Sequence, residues 1–228
     1  KLHKAKCKRL TEIVVEKDSK NRLRPGALRI RLHTLSEGTV ILSIRDKDIT
    51  TIGDMNLTEE RVQEAPFFGC KSLLRVDLQG CTKLTSVGNA AFAYCTSLTS
   101  LVLPDSLTQI GVSAFLSCTS LASVVFPDSL TQLGNHAFVK CSSLTSVVLP
   151  DSFMQLGAKA FAHCSSLTSV VLPDSLTLIG QQAFGGCSSL TSVVLPDSAE
   201  LGDDVFFLCD AVWRKAALAG FDTVEPYL

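Results

Sequence analysis

Residues 141–163 read CSSLTSVVLPDSFMQLGAKAFAH, and residues 164–186 read CSSLTSVVLPDSLTLIGQQAFGG. The second stretch restates the first after 23 residues, and the same columns continue on both sides. Cys stands at 95, 118, 141, 164 and 187, with Cys209 one residue early. Leu stands at 98, 121, 144, 167 and 190, and Pro-Asp at 104–105, 127–128, 150–151, 173–174 and 196–197. Gly recurs at 88, 111, 134, 157, 180 and 202, and Phe at 92, 115, 138, 161, 184 and 206. A unit at 70–94 is two residues longer, because Gln79-Gly80-Cys81-Thr82 replaces the Pro-Asp step. The unit at 187–208 is one residue short near Ala199. Self-similarity at such a period marks a repeat array, in which each unit buries its apolar side only by stacking on its neighbours.

One unit reads as a coil. Leu144, Val147 and Leu149 point inward from a short strand while Val148 points out, since side chains alternate along an extended chain. Pro150 ends the strand, having no N–H for a ladder. Asp151-Ser152 is expected to start a turn through side-chain bonds to nearby backbone N–H groups. Phe153 and Leu156 form a second inward pair, Gly157 permits a tight bend, and Ala160-Phe161 closes the coil. Phe138, Phe161 and Phe184 should then stack as a buried column.

The Leu-x-x-Val-x-Leu-Pro…Leu-x-x-Ile-Gly-x-x-Ala-Phe-x-x-Cys template over residues 70–208 resembles the leucine-rich repeats of the BspA-like (Treponema pallidum) class. The resemblance implies a β-rich leucine-rich-repeat solenoid, curved and right-handed, with a parallel sheet on its concave face. It also implies company among surface or secreted binding proteins, so that a surface adhesin is one version of the function.

The ends depart from the template. Residues 1–69 read as an irregular N-terminal cap with degenerate repeats: Cys7 to Val15 overlays Cys141 to Leu149, and Ile49 to Gly53 overlays Leu107 to Gly111. Leu28–Leu32 and Thr39–Ile44 alternate around Ser36-Glu37-Gly38, which reads as a β-hairpin. Thr58 to Gln63 reads as a short helix with Thr58 as N-cap. Residues 70–208 hold six repeats, and 209–228 form a C-terminal cap. There Asp210 caps a helix from Ala211 to Ala219 that Gly220 stops, with Trp213 and Leu218 covering the core.

Composition narrows the function. Of the 228 residues, 46% are hydrophobic and 19% charged, enough apolar surface for an ordered array. No run approaches 18 apolar residues, so no transmembrane helix is read. The sequence opens on Lys1 rather than Met, which implies processing or a preceding segment and leaves the compartment unread. Residues 1–94 carry 17 Lys/Arg against 11 Asp/Glu, and residues 95–208 carry 2 against 8. A basic front and an acidic body point to two surfaces.

Candidate chemistry is sparse. The cysteine column lacks the compact C-x₂-C clusters of zinc sites and reads as buried free thiols; a Cys70–Cys81 bridge is left open for an oxidising compartment. The Asp column reads as turn residues, without the Gly-rich nonapeptide of calcium-binding β-helices. His3, His33, His136 and His163 form no column, no nucleophile–base pairing or phosphate loop is spaced for catalysis, and no cofactor is implied. An enzyme is not expected. Asn56-Leu57-Thr58 matches a glycosylation acceptor.

Two surfaces remain as protein-binding candidates. The first is an uncharged ribbon of outward residues: Ser100 and Val102, Ser123 and Val125, Ser146 and Val148, Ser169 and Val171, Ser192 and Val194. Such an exposed apolar ladder either marks a contact surface or reflects duplicated repeats whose valines serve strand propensity. The second is the basic stretch 1–31, with 11 Lys/Arg against 3 Asp/Glu, including Arg22, Arg24, Arg29 and Arg31. Nucleic acid, anionic lipid and an acidic partner are its candidate contacts, but it lacks the aromatic interleaving of nucleic-acid binders, and Arg29 and Arg31 alternating with Leu28, Ile30 and Leu32 also fit a solvated strand face. The expected function is a non-enzymatic module that binds a protein or peptide through the concave repeat face. The alternative is a structural or accessory subunit of a multiprotein assembly, docked through its caps and basic segment.

Overall fold

The computed structural model describes residues 40–44, 48–56, 58, 60–61, 65–196 and 199–210. They form a parallel β-solenoid with two strand-bearing walls. One wall, which carries the ribbon, holds β1 (Val40–Ser43), β3 (Leu73–Asp77), β5 (Ser100–Val102), β8 (Ser146–Val148), β10 (Ser169–Val171) and β12 (Ser192–Val194). The other holds β2 (Thr51–Ile52), β4 (Ser86–Val87), β6 (Gln109–Ile110), β7 (Gln132–Leu133), β9 (Gln155–Leu156), β11 (Leu178–Ile179) and β13 (Glu200–Leu201). The second wall is one sheet of seven strands in sequential order, each paired in parallel with the equivalent residues one coil on. The third side carries no strand. Its turns are held coil to coil by backbone bonds such as Ala90 N–H to Val112 O (2.9 Å), Phe92 N–H to Ala114 O (2.8 Å) and Tyr94 N–H to Leu116 O (2.7 Å).

The inward columns follow the alternation. Leu144, Val147, Leu149, Phe153, Leu156 and Phe161 are all buried, and so are their equivalents in the neighbouring coil. Phe92, Phe115, Phe138, Phe161 and Phe184 stack face to face, with successive ring centroids 5.1–5.7 Å apart. Phe67 extends the stack at one end and Phe206 at the other.

Two expectations are refined. Ser152 does not anchor its turn locally. The turn closes through Phe153 N–H to Pro150 O at 2.9 Å, and the Ser152 hydroxyl donates to Leu130 O in the preceding coil at 2.9 Å. Ser106, Ser129 and Ser175 repeat that cross-coil bond at 2.7–2.8 Å. Gly157 is needed for proximity rather than for a bend. A Cβ there would stand 2.5 Å from Asn135 N and Gly134 C of the preceding coil, and Gly134 and Gly180 are in the same position.

The bends that do need left-handed backbone lie on the third side, two per coil. Non-glycine residues occupy most of them, including His136, Lys140, Lys159 and His163 at φ of 56–60°. Such a conformation costs about 1 kcal/mol per residue, and the coil-to-coil bonds offset it, as in Lys140 N–H to Ala162 O at 2.9 Å.

At the N-terminal side, β1 pairs in parallel with β3, so Val40–Ser43 joins the ribbon-bearing wall. The array therefore begins before residue 69. Thr58 O accepts a backbone bond from Arg61 N–H at 3.0 Å, a 3₁₀ turn at the start of the expected helix. The unit expected from Cys7, the Leu28–Leu32 strand, Arg22, Arg24, Arg29 and Arg31, and the C-terminal helix from Ala211 with Trp213 lie outside the described residues.

Candidate protein-interaction surface

The strand alternation that buries Val147 and Val170 turns the neighbouring valines to the surface. Val125, Val148, Val171 and Val194 are 81%, 61%, 43% and 55% exposed, and Val102 is half-buried. Parallel pairing sets like on like: Val171 stands between Val148 and Val194, and Ser169 between Ser146 and Ser192. Ser123, Ser146 and Ser192 are exposed, and Ser100 and Ser169 half-buried. The structure thus brings all ten ribbon residues to one wall. Thr99, Thr145, Thr168 and Thr191 border them, and the Thr168 hydroxyl donates to Thr145 O at 3.0 Å. Because such hydroxyls are spent on the fold, the valines and serines carry most of the ribbon's chemistry.

The ribbon has a defined start. In β3 its positions are taken by Arg75 and Asp77, paired at 3.7 Å and set opposite Ser100 and Val102. It also has an interruption that sequence reasoning missed. Residues 121–127 form no strand, and the wall splits into β1-β3-β5 and β8-β10-β12. Two departures from the columns coincide with the split. Ala122 stands where Thr would donate to the coil before it, and Phe126 replaces the inward Leu and packs edge-on against Phe138 at 5.7 Å. The signal was present in those two residues. Val125, at the split, is the most exposed valine of the ribbon.

The cysteine column lies in the core. Cys95, Cys118, Cys141, Cys164, Cys187 and Cys209 are buried free thiols, and Cys70 and Cys81 are buried with them. Cys118 and Cys141 each donate to the carbonyl of the preceding coil's core Phe at 3.3 Å. Burial first, and neighbouring column thiols second, push Cys118 and Cys141 well above the ordinary thiol range. Among the described residues, no three His, Cys, Asp or Glu are grouped to hold a metal ion. Asn56 is exposed, its N–H donating to Asp54 Oδ1 at 2.9 Å.

With this geometry in hand, similarity to known proteins becomes specific. The model of the BspA-type leucine-rich-repeat region matches in six copies over residues 47–165 and 85–212. The chain belongs to the BspA-type leucine-rich-repeat proteins. The crystal structure of the T. pallidum leucine-rich repeat protein TpLRR is similar at a TM-score of 0.67 and 32% identity, covering 81% of this chain and 82% of that one. A leucine-rich repeat protein from Bacteroides ovatus is similar at a TM-score of 0.67 and 26% identity, over 87% of this chain and 49% of that one. This BspA-type chain thus spans about half the length of the Bacteroides protein. No curated protein matches it. The BspA-type repeat is a protein-interaction fold, and among the described residues no helix is long and apolar enough to cross a membrane.

Proposed function

We propose that this BspA-type array is a non-enzymatic module that holds a protein or peptide against its Val/Ser ribbon. The observation that supports the reading is the exposed valine ladder, aligned in register from Val148 to Val194 and left uncovered by the fold. An apolar strip in water gains on being covered, about 25 cal/mol for each Å² of apolar surface removed from solvent. The flanking serines supply hydrogen-bonding groups without a desolvated charge, which suits the centre of an interface. The test is capture of the natural partner by the wild-type chain and by a Val148→Glu, Val171→Glu variant. Both side chains point outward, so the coil tolerates the change. Retention of the partner falls at least about tenfold, the equivalent of about 1.4 kcal/mol. Unchanged capture removes the ribbon from consideration.

A further inference from the structure

We infer that the partner received by the ribbon is a cationic protein segment, whose apolar strip covers the valines while its Lys or Arg side chains lie along a rail of aspartates beside them. The inference rests on the ribbon being the binding face. Four successive coils set an exposed carboxylate three residues beyond their ribbon valine: Asp105, Asp128, Asp151 and Asp174. Parallel stacking carries equivalent positions from coil to coil at a strand spacing of about 4.8 Å, so these like charges run in a row along one border of the ribbon. At Asp105, Asp128 and Asp151 the turn does not require a carboxylate. It is closed by backbone bonds such as Leu107 N–H to Pro104 O at 3.1 Å and tied to the preceding coil by the serine hydroxyl.

The charge is one-sided. Across residues 95–196 the only cations of the sequence are Lys140 and Lys159. Both sit on the strandless third side at positive φ. The ribbon's other border is threonine and serine. No metal-holding group forms among the described residues, so the row acts through its field rather than by chelation. Mutual repulsion within such a row is relieved by a partner's cations, which also steer its approach. An anionic partner is repelled along the whole border.

The test uses the full chain and two labelled amphipathic probe peptides, one with Leu and Lys and the other with Leu and Glu, titrated by fluorescence anisotropy at low and physiological salt. The Lys peptide binds at least about tenfold more tightly than the Glu peptide, and salt weakens it. An Asp128→Asn, Asp151→Asn, Asp174→Asn variant loses most of that preference and its salt dependence. An Asp203→Asn, Asp204→Asn variant, which removes exposed charge off the ribbon, keeps both. Equal loss in the two variants means general acidity attracts the peptide and overturns the proposal. If a Val148→Ser, Val171→Ser variant loses binding while the aspartate variant keeps it, the ribbon stands and the aspartate rail falls. If the valine variant binds normally, the ribbon reading itself fails and takes this one with it. Self-association of the chain at low salt without peptide, abolished by the aspartate variant, assigns the rail to a second copy and also overturns it.

Discussion

The thiol of Cys164 donates to the carbonyl oxygen of Phe138, one coil earlier, at 3.3 Å. Cys187 does the same to Phe161 at 3.2 Å. The cysteine column is therefore bonded to the backbone of the ring column, and a neutral thiol is what that bond requires.

Stability should consequently fall in alkali. Burial pushes the Cys164 thiol up to about 12, whereas an unfolded thiol ionises near about 8.5. The protonated thiol's contribution is complete below the unfolded value and is lost as pH rises toward the folded one. Within that window each such thiol costs about 1.4 kcal/mol per pH unit. Denaturant melts of the wild type and of Cys164→Ala between pH 8 and 11 check this. The variant's slope is shallower by about one thiol, and identical slopes would contradict the buried bond.

The last pair behaves differently. Contact between the two side chains holds Cys209 below the ordinary thiol value and raises Cys187, while their thiols donate to Phe184 O and Phe161 O. Alkylation of the folded chain, mapped by mass spectrometry, should therefore reach Cys209 before Cys118, Cys141 or Cys164, which label on unfolding. Early labelling of Cys141 would place that column at the surface.

Truncating the ring column should be costly. Phe161 is buried between Phe138 and Phe184, at centroid distances of 5.4 and 5.7 Å. Phe161→Ala is expected to lose about 3–5 kcal/mol, read by denaturant unfolding. A loss under about 1 kcal/mol would mean the coil closes around another side chain.

Backbone packing gives a pair of opposite signs. Gly157→Ala drives a Cβ against the backbone of the preceding coil at 2.5 Å and should cost about 1–3 kcal/mol. Lys140→Gly relieves a φ of 60° at an exposed side chain and should gain up to about 1 kcal/mol. Melting temperatures of the two variants on the same side of the wild type would refute one of the two readings.

Much of the fold was legible because each inward position is stated several times over. Alternation alone assigns Val147 to the core and Val148 to solvent, and the Phe spacing announces the ring stack. What stayed hidden depends on contacts 22 or 23 residues away. Nothing at Ser152 says that its hydroxyl reaches Leu130 O. Nothing at Lys140 or His163 announces left-handed backbone, since only Gly69 and Gly186 among the equivalent positions are glycines. The ribbon's residues were legible, and its break was not, because Ala122 and Phe126 are modest departures whose effect appears only when the neighbouring strands fail to join. Residue type alone also leaves the ribbon's purpose open, because the same valines suit a strand whether or not anything binds there.

That break has a mechanical consequence. One β wall is stitched through all seven of its strands, while the ribbon wall is cut between β5 and β8. A rod sewn on one side and slit on the other is expected to yield first at the slit, where, among the described residues, Thr145 alone bonds to Ala122 O across residues 121–127. A ligand lying across Val102 and Val148, as proposed above, would splint that joint and couple occupancy to stiffness. Amide exchange at 123–126 would then slow on binding.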